Sequence, residues 1–153
     1  MGYPVMKTTP ESVSRVRVIL ADDNKIIREK VIMLLEPEFE VVGAVADGQA
    51  LLEAVPNFDP DVGVIDISMP RIGGIEAVRK LKGTGCRMLV VYLTVHEDPD
   101  FARAAFEGGA SAYVVKSRMV SDLIPAIRAA THGRFFVSPC FALEDNPLPV
   151  SER

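Results

Sequence analysis

The chain of 153 residues is 48% hydrophobic and 25% charged, which suits one globular domain and excludes a disordered or low-complexity chain. Lys and Arg number 17 against 21 Asp and Glu, and the net charge of −4 leaves no basic face for gripping nucleic acid directly. No apolar run approaches the about 20 residues of a membrane span, no secretory signal is visible, and the 2 cysteines, Cys86 and Cys140, lack metal-ligand spacing and read as free thiols in a reducing cytoplasm.

Residues 1–14 read as a polar leader, and residues 140–153, with Pro147, Pro149 and charges at Glu144, Asp145, Glu152 and Arg153, read as a linker or tail. The body, 15–139, alternates apolar runs with helical patterns. Arg15 to Ala21 is the first run. Ile27, Val31, Leu34 and Leu35 then recur at helical spacing until Pro37 stops them. Glu40 to Ala46 is the second run, followed by a short helix carrying Leu51, Leu52 and Val55, with Asp47 placed to cap it. Asp61 to Asp66 is the third. Ile75, Val78 and Leu81 mark a helix closing on Arg79, Lys80, Lys82 and Gly83, a basic last turn and glycine stop. Arg87 to Thr94 is the fourth run. Asp98-Pro99-Asp100 opens a helix with a capping acid and proline in its first turn. Phe101, Ala105 and Phe106 form its apolar face, and Gly108-Gly109 ends it. Ala112 to Lys116 is the fifth run. Leu123, Ile124, Ile127 and Ala130 give the last helix, whose first turn Pro125 is expected to disturb.

Continuous apolar strands alternating with helices predict a doubly wound α/β domain: a five-stranded parallel sheet covered on both faces by five helices. In such a sheet the functional crevice lies at the carboxyl ends of the strands. There the first strand delivers Asp22 and Asp23, the third Asp66, the fourth Thr94 and the fifth Lys116. Singly, each has an ordinary reading. An acid after a strand can cap a helix, a Thr is a β-former, and a Lys is a solvated strand end. Asp66 fits this least well, because an acid is costly at the end of a buried strand unless something stabilises it.

Together the five suggest chemistry. Three carboxylates within a few ångströms repel one another, and a hard divalent cation such as Mg²⁺ removes the repulsion. Asp66 can then attack phosphorus as an ionised nucleophile, giving an aspartyl phosphate without a general base. The metal, the Lys116 ammonium and the Thr94 hydroxyl suffice to neutralise the equatorial oxygens of the transferred group.

The motifs are Leu20-Ala-Asp-Asp-Asn24, Asp66-Ile-Ser-Met-Pro70 followed by Gly73-Gly74, Leu93-Thr94, and Gly108-Gly-Ala-Ser-Ala-Tyr-Val-Val-Lys116. In their order and spacing the chain resembles the receiver domain of bacterial two-component response regulators, the CheY-like (βα)5 flavodoxin-like family, across 15–139. The resemblance implies that Asp66 is the phosphoacceptor and a sensor histidine kinase the donor. It implies direct Mg²⁺ ligation by Asp23 and Asp66, ligation by Asp22 largely through water, and a fourth ligand in the Ser68 backbone carbonyl. It makes Thr94 and Tyr113 a switch pair, in which the hydroxyl is drawn inward and the aromatic ring follows. Ser68 and His96 stand where the family varies and where the lifetime of the aspartyl phosphate is tuned. Ser117 follows Lys116 where many receivers carry proline and a cis peptide.

Val41-Val-Gly-Ala-Val-Ala-Asp-Gly48, Arg128-Ala-Ala-Thr-His-Gly133 and Arg134-Phe-Phe-Val-Ser-Pro139 resemble the NarL/FixJ subfamily in particular. Pro147-Leu-Pro-Val-Ser-Glu-Arg153 resembles the opening of a LuxR-type helix-turn-helix domain. This implies a transcription regulator that contacts DNA only through a domain absent from this chain and can form a homodimer on phosphorylation. The second reading is a stand-alone receiver that relays phosphate or acts by protein contacts. A haloacid-dehalogenase-like phosphatase would need an acid two residues after the nucleophile, where Ser68 stands. A dinucleotide-binding fold would need Gly-x-Gly-x-x-Gly where Ala21-Asp-Asp-Asn24 stands. The chain thus reads as a signalling switch and not as an enzyme.

Overall fold

A computed structural model describes residues 15–139. Its elements follow the apolar runs: β1 (Arg17–Ala21), α1 (Lys25–Leu35), β2 (Glu40–Val45), α2 (Gly48–Phe58), β3 (Val62–Ile65), α3 (Gly74–Gly83), β4 (Leu89–Thr94), α4 (Pro99–Glu107), β5 (Ala112–Val115), α5 (Met119–Thr131) and β6 (Phe136–Val137). The strand order is β2-β1-β3-β4-β5-β6, with every neighbouring pair parallel. The order reverses at β1, so β1 and β3 lie side by side at the switch point where α/β sheets place their ligands.

The sheet has six strands, one more than expected. Two residues are too short a run to stand out as a strand. Phe136 N bonds Ser111 O at 3.1 Å and Ser138 N bonds Tyr113 O at 3.0 Å, which attaches β6 to the edge of β5. The irregularity expected at Pro125 also lies elsewhere. A 3₁₀ turn, Lys116–Arg118, precedes α5, while Pro125 is exposed inside the helix. The Lys116–Ser117 peptide is trans.

Both faces of the sheet are buried because alternate strand residues feed two cores. Val18, Leu20, Val62, Val64, Val91, Leu93 and Val114 pack with Val31, Leu35, Leu123 and Ile127 of α1 and α5. Ile19, Ala21, Ile65, Val90, Tyr92 and Tyr113 pack with Leu51, Val55, Val78, Leu81 and Phe106 of α2, α3 and α4. Each fully buried Val, Leu or Ile side chain contributes about 1.5–3 kcal/mol relative to exposure. That supports a rigid edge on which polar side chains can be held against their preference for water.

Helix starts show which acids are spoken for. Asn24 caps α1, accepting from Ile27 N at 3.0 Å. Asp47 caps α2, accepting from Ala50 N at 2.8 Å. Asp98 caps α4 with Pro99 in its first turn, as expected. Since Asn24 takes the capping role at α1, Asp22 and Asp23 are left for other work. Cys86 is half-buried with a free thiol. The leader 1–14, the tail 140–153 and Cys140 lie outside the described residues.

Candidate functional site

Asp22 and Asp23 follow β1, Asp66 follows β3, Thr94 ends β4 and Lys116 follows β5, so adjacent strands bring all five to one edge. A carboxylate oxygen from each of Asp22, Asp23 and Asp66 lies within 4.8 Å of the others. Asp22 and Asp66 are 1% and 4% exposed, whereas Asp23 faces solvent. Lys116 Nζ sits between the two buried acids, 2.8 Å from Asp22 Oδ2 and 3.1 Å from Asp66 Oδ2.

The main chain holds the acids in place. Asp22 Oδ1 accepts from Asn24 N at 2.9 Å, and Arg28 Nη1 donates to the Asp22 carbonyl at 2.8 Å. Asp66 N donates to Ala21 O at 2.9 Å, and Asp66 Oδ1 accepts from Ser68 N at 3.3 Å. Gly74 lets the next helix approach: a Cβ there would collide with the Asp66 carbonyl oxygen. Asp22 Oδ2 is buried against the Lys116 ammonium, 2.8 Å away.

Burial pushes the Asp66 carboxyl above the ordinary range. The Lys116 charge and hydrogen bond oppose this and the Asp22 charge adds to it, with a net upward shift. For Lys116, burial works against the ammonium, but its hydrogen bonds and charges with Asp22 and Asp66 prevail and hold its pKa up. The pocket therefore carries surplus negative charge that one lysine does not cancel. Three hard oxygen donors, one from each acid, fit a small divalent cation such as Mg²⁺.

Around the mouth, Ser68 Oγ and His96 Nε2 are 2.7 Å apart, and the His96 ring stacks on Phe101 with centroids at 4.5 Å. His96 N donates to Thr94 Oγ1 at 3.3 Å, and the Tyr113 hydroxyl donates to His96 O at 2.9 Å. The β4–α4 loop thus links Thr94 to Tyr113. The Tyr113 ring is fully buried. Burial raises its phenol well above the usual range.

Some participants were not singled out in the sequence. Arg28 on the Asp22 carbonyl is one. Arg71 is another: it adopts a φ of 70° in the loop after Asp66 and ion-pairs with Asp47 at 3.2 Å, tying that loop to the start of α2. No motif announces either: Arg28 reaches back six residues to a main-chain carbonyl, and Arg71 pairs with an acid 24 residues away.

Residues 18–128 match the response regulator receiver domain. The chain belongs to that family. It is 34% identical to the transcriptional regulatory protein DegU of Brevibacillus brevis over 82% of this chain and 54% of DegU. It is 38% identical to the transcriptional regulatory protein PdtaR of Mycobacterium tuberculosis over 90% of this chain and 65% of PdtaR. The receiver therefore spans between half and two thirds of the length of these relatives. The crystal structure of a LuxR-family two-component response regulator from Aurantimonas sp. SI85-9A1 superposes with a TM-score of 0.80 at 38% identity, covering 86% of this chain and 95% of that one.

Proposed function

We propose that this receiver accepts a phosphoryl group on Asp66 from a sensor histidine kinase and acts as the input half of a transcription regulator. The supporting observation is the Lys116 ammonium lying between Asp22 and Asp66 within a cluster of three acids whose oxygens lie within 4.8 Å of one another. The folded unit is 15–139, with a leader before it and a linker after it. It works in the cytoplasm; among the described residues no helix is long and apolar enough to cross a membrane.

In this mechanism Asp23 and Asp66 would hold Mg²⁺ directly, Asp22 would hold it largely through water, and the Ser68 carbonyl would complete the protein's share. Bound there, the cation would neutralise the acid cluster and one phosphoryl oxygen. An ionised Asp66 oxygen forms the new P–O bond while the bond from phosphorus to the donor breaks, and no proton leaves Asp66. Lys116 pairs with a second phosphoryl oxygen and the Thr94 hydroxyl donates to a third. Recruiting Thr94 in this way draws on its link through His96 to Tyr113. The domain itself turns over no substrate. DNA is reached through another domain, and homodimerisation follows phosphorylation.

Incubation with acetyl phosphate and Mg²⁺, read by intact mass, tests this. One added phosphate is expected in the wild type and none in Asp66→Asn or in excess chelator. Phosphate gained by Asp66→Asn, or none gained by the wild type, refutes it.

A further inference from the structure

We propose that buried Ser138 and Asp122, with Arg118 at the rim, form a clasp that passes loading of the Asp66 pocket to the chain leaving the domain at Pro139; it rests on the phosphoryl reading of that pocket. Ser138 is 0% exposed, yet carries a hydroxyl. That hydroxyl donates to Asp122 Oδ2 at 2.8 Å and accepts from Val115 N at 3.1 Å. β6 is only two residues long, and its register with β5 ends at Tyr113 and Val137. The side chain of Ser138 therefore takes up a strand-edge N–H that a longer β6 would have satisfied with main chain.

Asp122, in the first turn of α5, gathers the rest. Arg118 Nε donates to its Oδ2 at 2.8 Å and Arg118 Nη2 to its Oδ1 at 3.3 Å. Ser121 Oγ donates to Oδ1 at 2.9 Å. Burial works to push this carboxyl up, but the donors Arg118, Ser138 and Ser121 outweigh it and hold it below the ordinary range. The Arg118 side chain is 41% exposed, and such a solvent-screened i,i+4 pair contributes little, so stability alone is a weak reason to build one here.

Its position gives a better reason. Val115 precedes Lys116 directly, so Ser138 holds the main chain next to the lysine that reaches Asp22 and Asp66, and the Arg118 side chain, two residues after that lysine, ties the same turn to Asp122. Ser138 N also donates to the carbonyl of Tyr113 at 3.0 Å. When Asp66 gains a phosphoryl group, the Lys116 ammonium must redirect to new oxygens. A shift of the backbone beneath it reaches Ser138 through the Val115 amide, because packed elements do not deform continuously. Residue 139 is the next in the chain. The segment 115–118 is thus common to the two sites, the physical connection that coupling needs.

Amide hydrogen exchange on the full chain, with beryllofluoride and Mg²⁺ as the probe, tests the clasp. Loading is expected to change exchange at the Phe136 and Ser138 amides by about fivefold or more, the lower end of ordinary coupling, with Leu20 and Val64 unmoved. Ser138→Ala should still load Asp66 but lose the response at Phe136. Should that variant fold poorly, Asp122→Asn, which preserves shape and removes charge, should weaken the same response. Wild-type protein that binds beryllofluoride with Phe136 and Ser138 unmoved, or moved in step with Leu20 and Val64, overturns the clasp alone. So does a full response in both variants. Failure to bind beryllofluoride overturns the phosphoryl reading, and the clasp with it.

Discussion

Lys116→Ala tests the electrostatics of the pocket most directly. Its ammonium is the cation between two carboxylates whose side chains are 1% and 6% exposed, and it is itself only 13% exposed. Removing one partner from a buried ionic cluster costs about 3–5 kcal/mol. The upper end is capped, because an acid that becomes intolerable can protonate. At pH 7 that escape costs about 4 kcal/mol, from roughly three units between solution pH and an ordinary Asp at about 1.36 kcal/mol each. The expected loss is therefore about 3–4 kcal/mol in metal-free buffer. With a urea slope of about 2 kcal/mol/M this moves the midpoint down by about 1.5–2 M. The chain has no Trp, so far-UV circular dichroism is the suitable readout. The gap should narrow with Mg²⁺, which stabilises whichever form binds it more tightly. It should narrow again in acid. The Asp66 carboxyl is already raised by burial, and a raised acid favours folding below its unfolded pKa and loses that advantage as pH climbs through the folded one. A variant within about 1 kcal/mol of wild type at pH 7 in chelator, or a gap indifferent to both Mg²⁺ and pH, refutes the reasoning.

Gly74→Ala drives a Cβ into the Asp66 carbonyl oxygen; a loss of about 3 kcal/mol or more is expected by urea melt, and a neutral result would mean the α3 start moves freely. His96→Ala removes the side chain facing Ser68 Oγ and stacked on Phe101. It should change the decay rate of the aspartyl phosphate more than Mg²⁺ affinity, and equal decay rates would count against a role for His96. Asp122 is held below the ordinary range by its donors, so its contribution is present above the unfolded pKa of about 3.9 and fades as pH falls through the folded value. Stability curves for wild type and Asp122→Asn should converge in acid, and a gap unchanged there would show that the charge is not what matters.

The legible parts of the fold are those with local causes. Apolar runs such as Val62–Ile65 and Leu89–Thr94, caps at Asp47 and Asp98, and the helix-opening Pro99 each act within a few residues, so they read directly from the chain. β6 escaped notice because a two-residue strand has no periodicity, and its pairing partner lies on β5. Pro125 misled because its effect on a helix depends on where the helix begins, and the 3₁₀ turn at Lys116–Arg118 moves that start upstream.

The candidate site divides in the same way. The types and order of Asp22, Asp23, Asp66, Thr94 and Lys116 are set by the sequence alone, because each ends a strand and parallel strands all end at one edge. Two matters were decided only by tertiary structure: Lys116 bridges two acids, and Tyr113 is buried under the His96 carbonyl. The physical reason is range. Hydrophobic periodicity and capping act over a handful of residues, whereas charge and burial act over ångströms, and only folding brings Asp66 within 3.1 Å of a lysine 50 residues away.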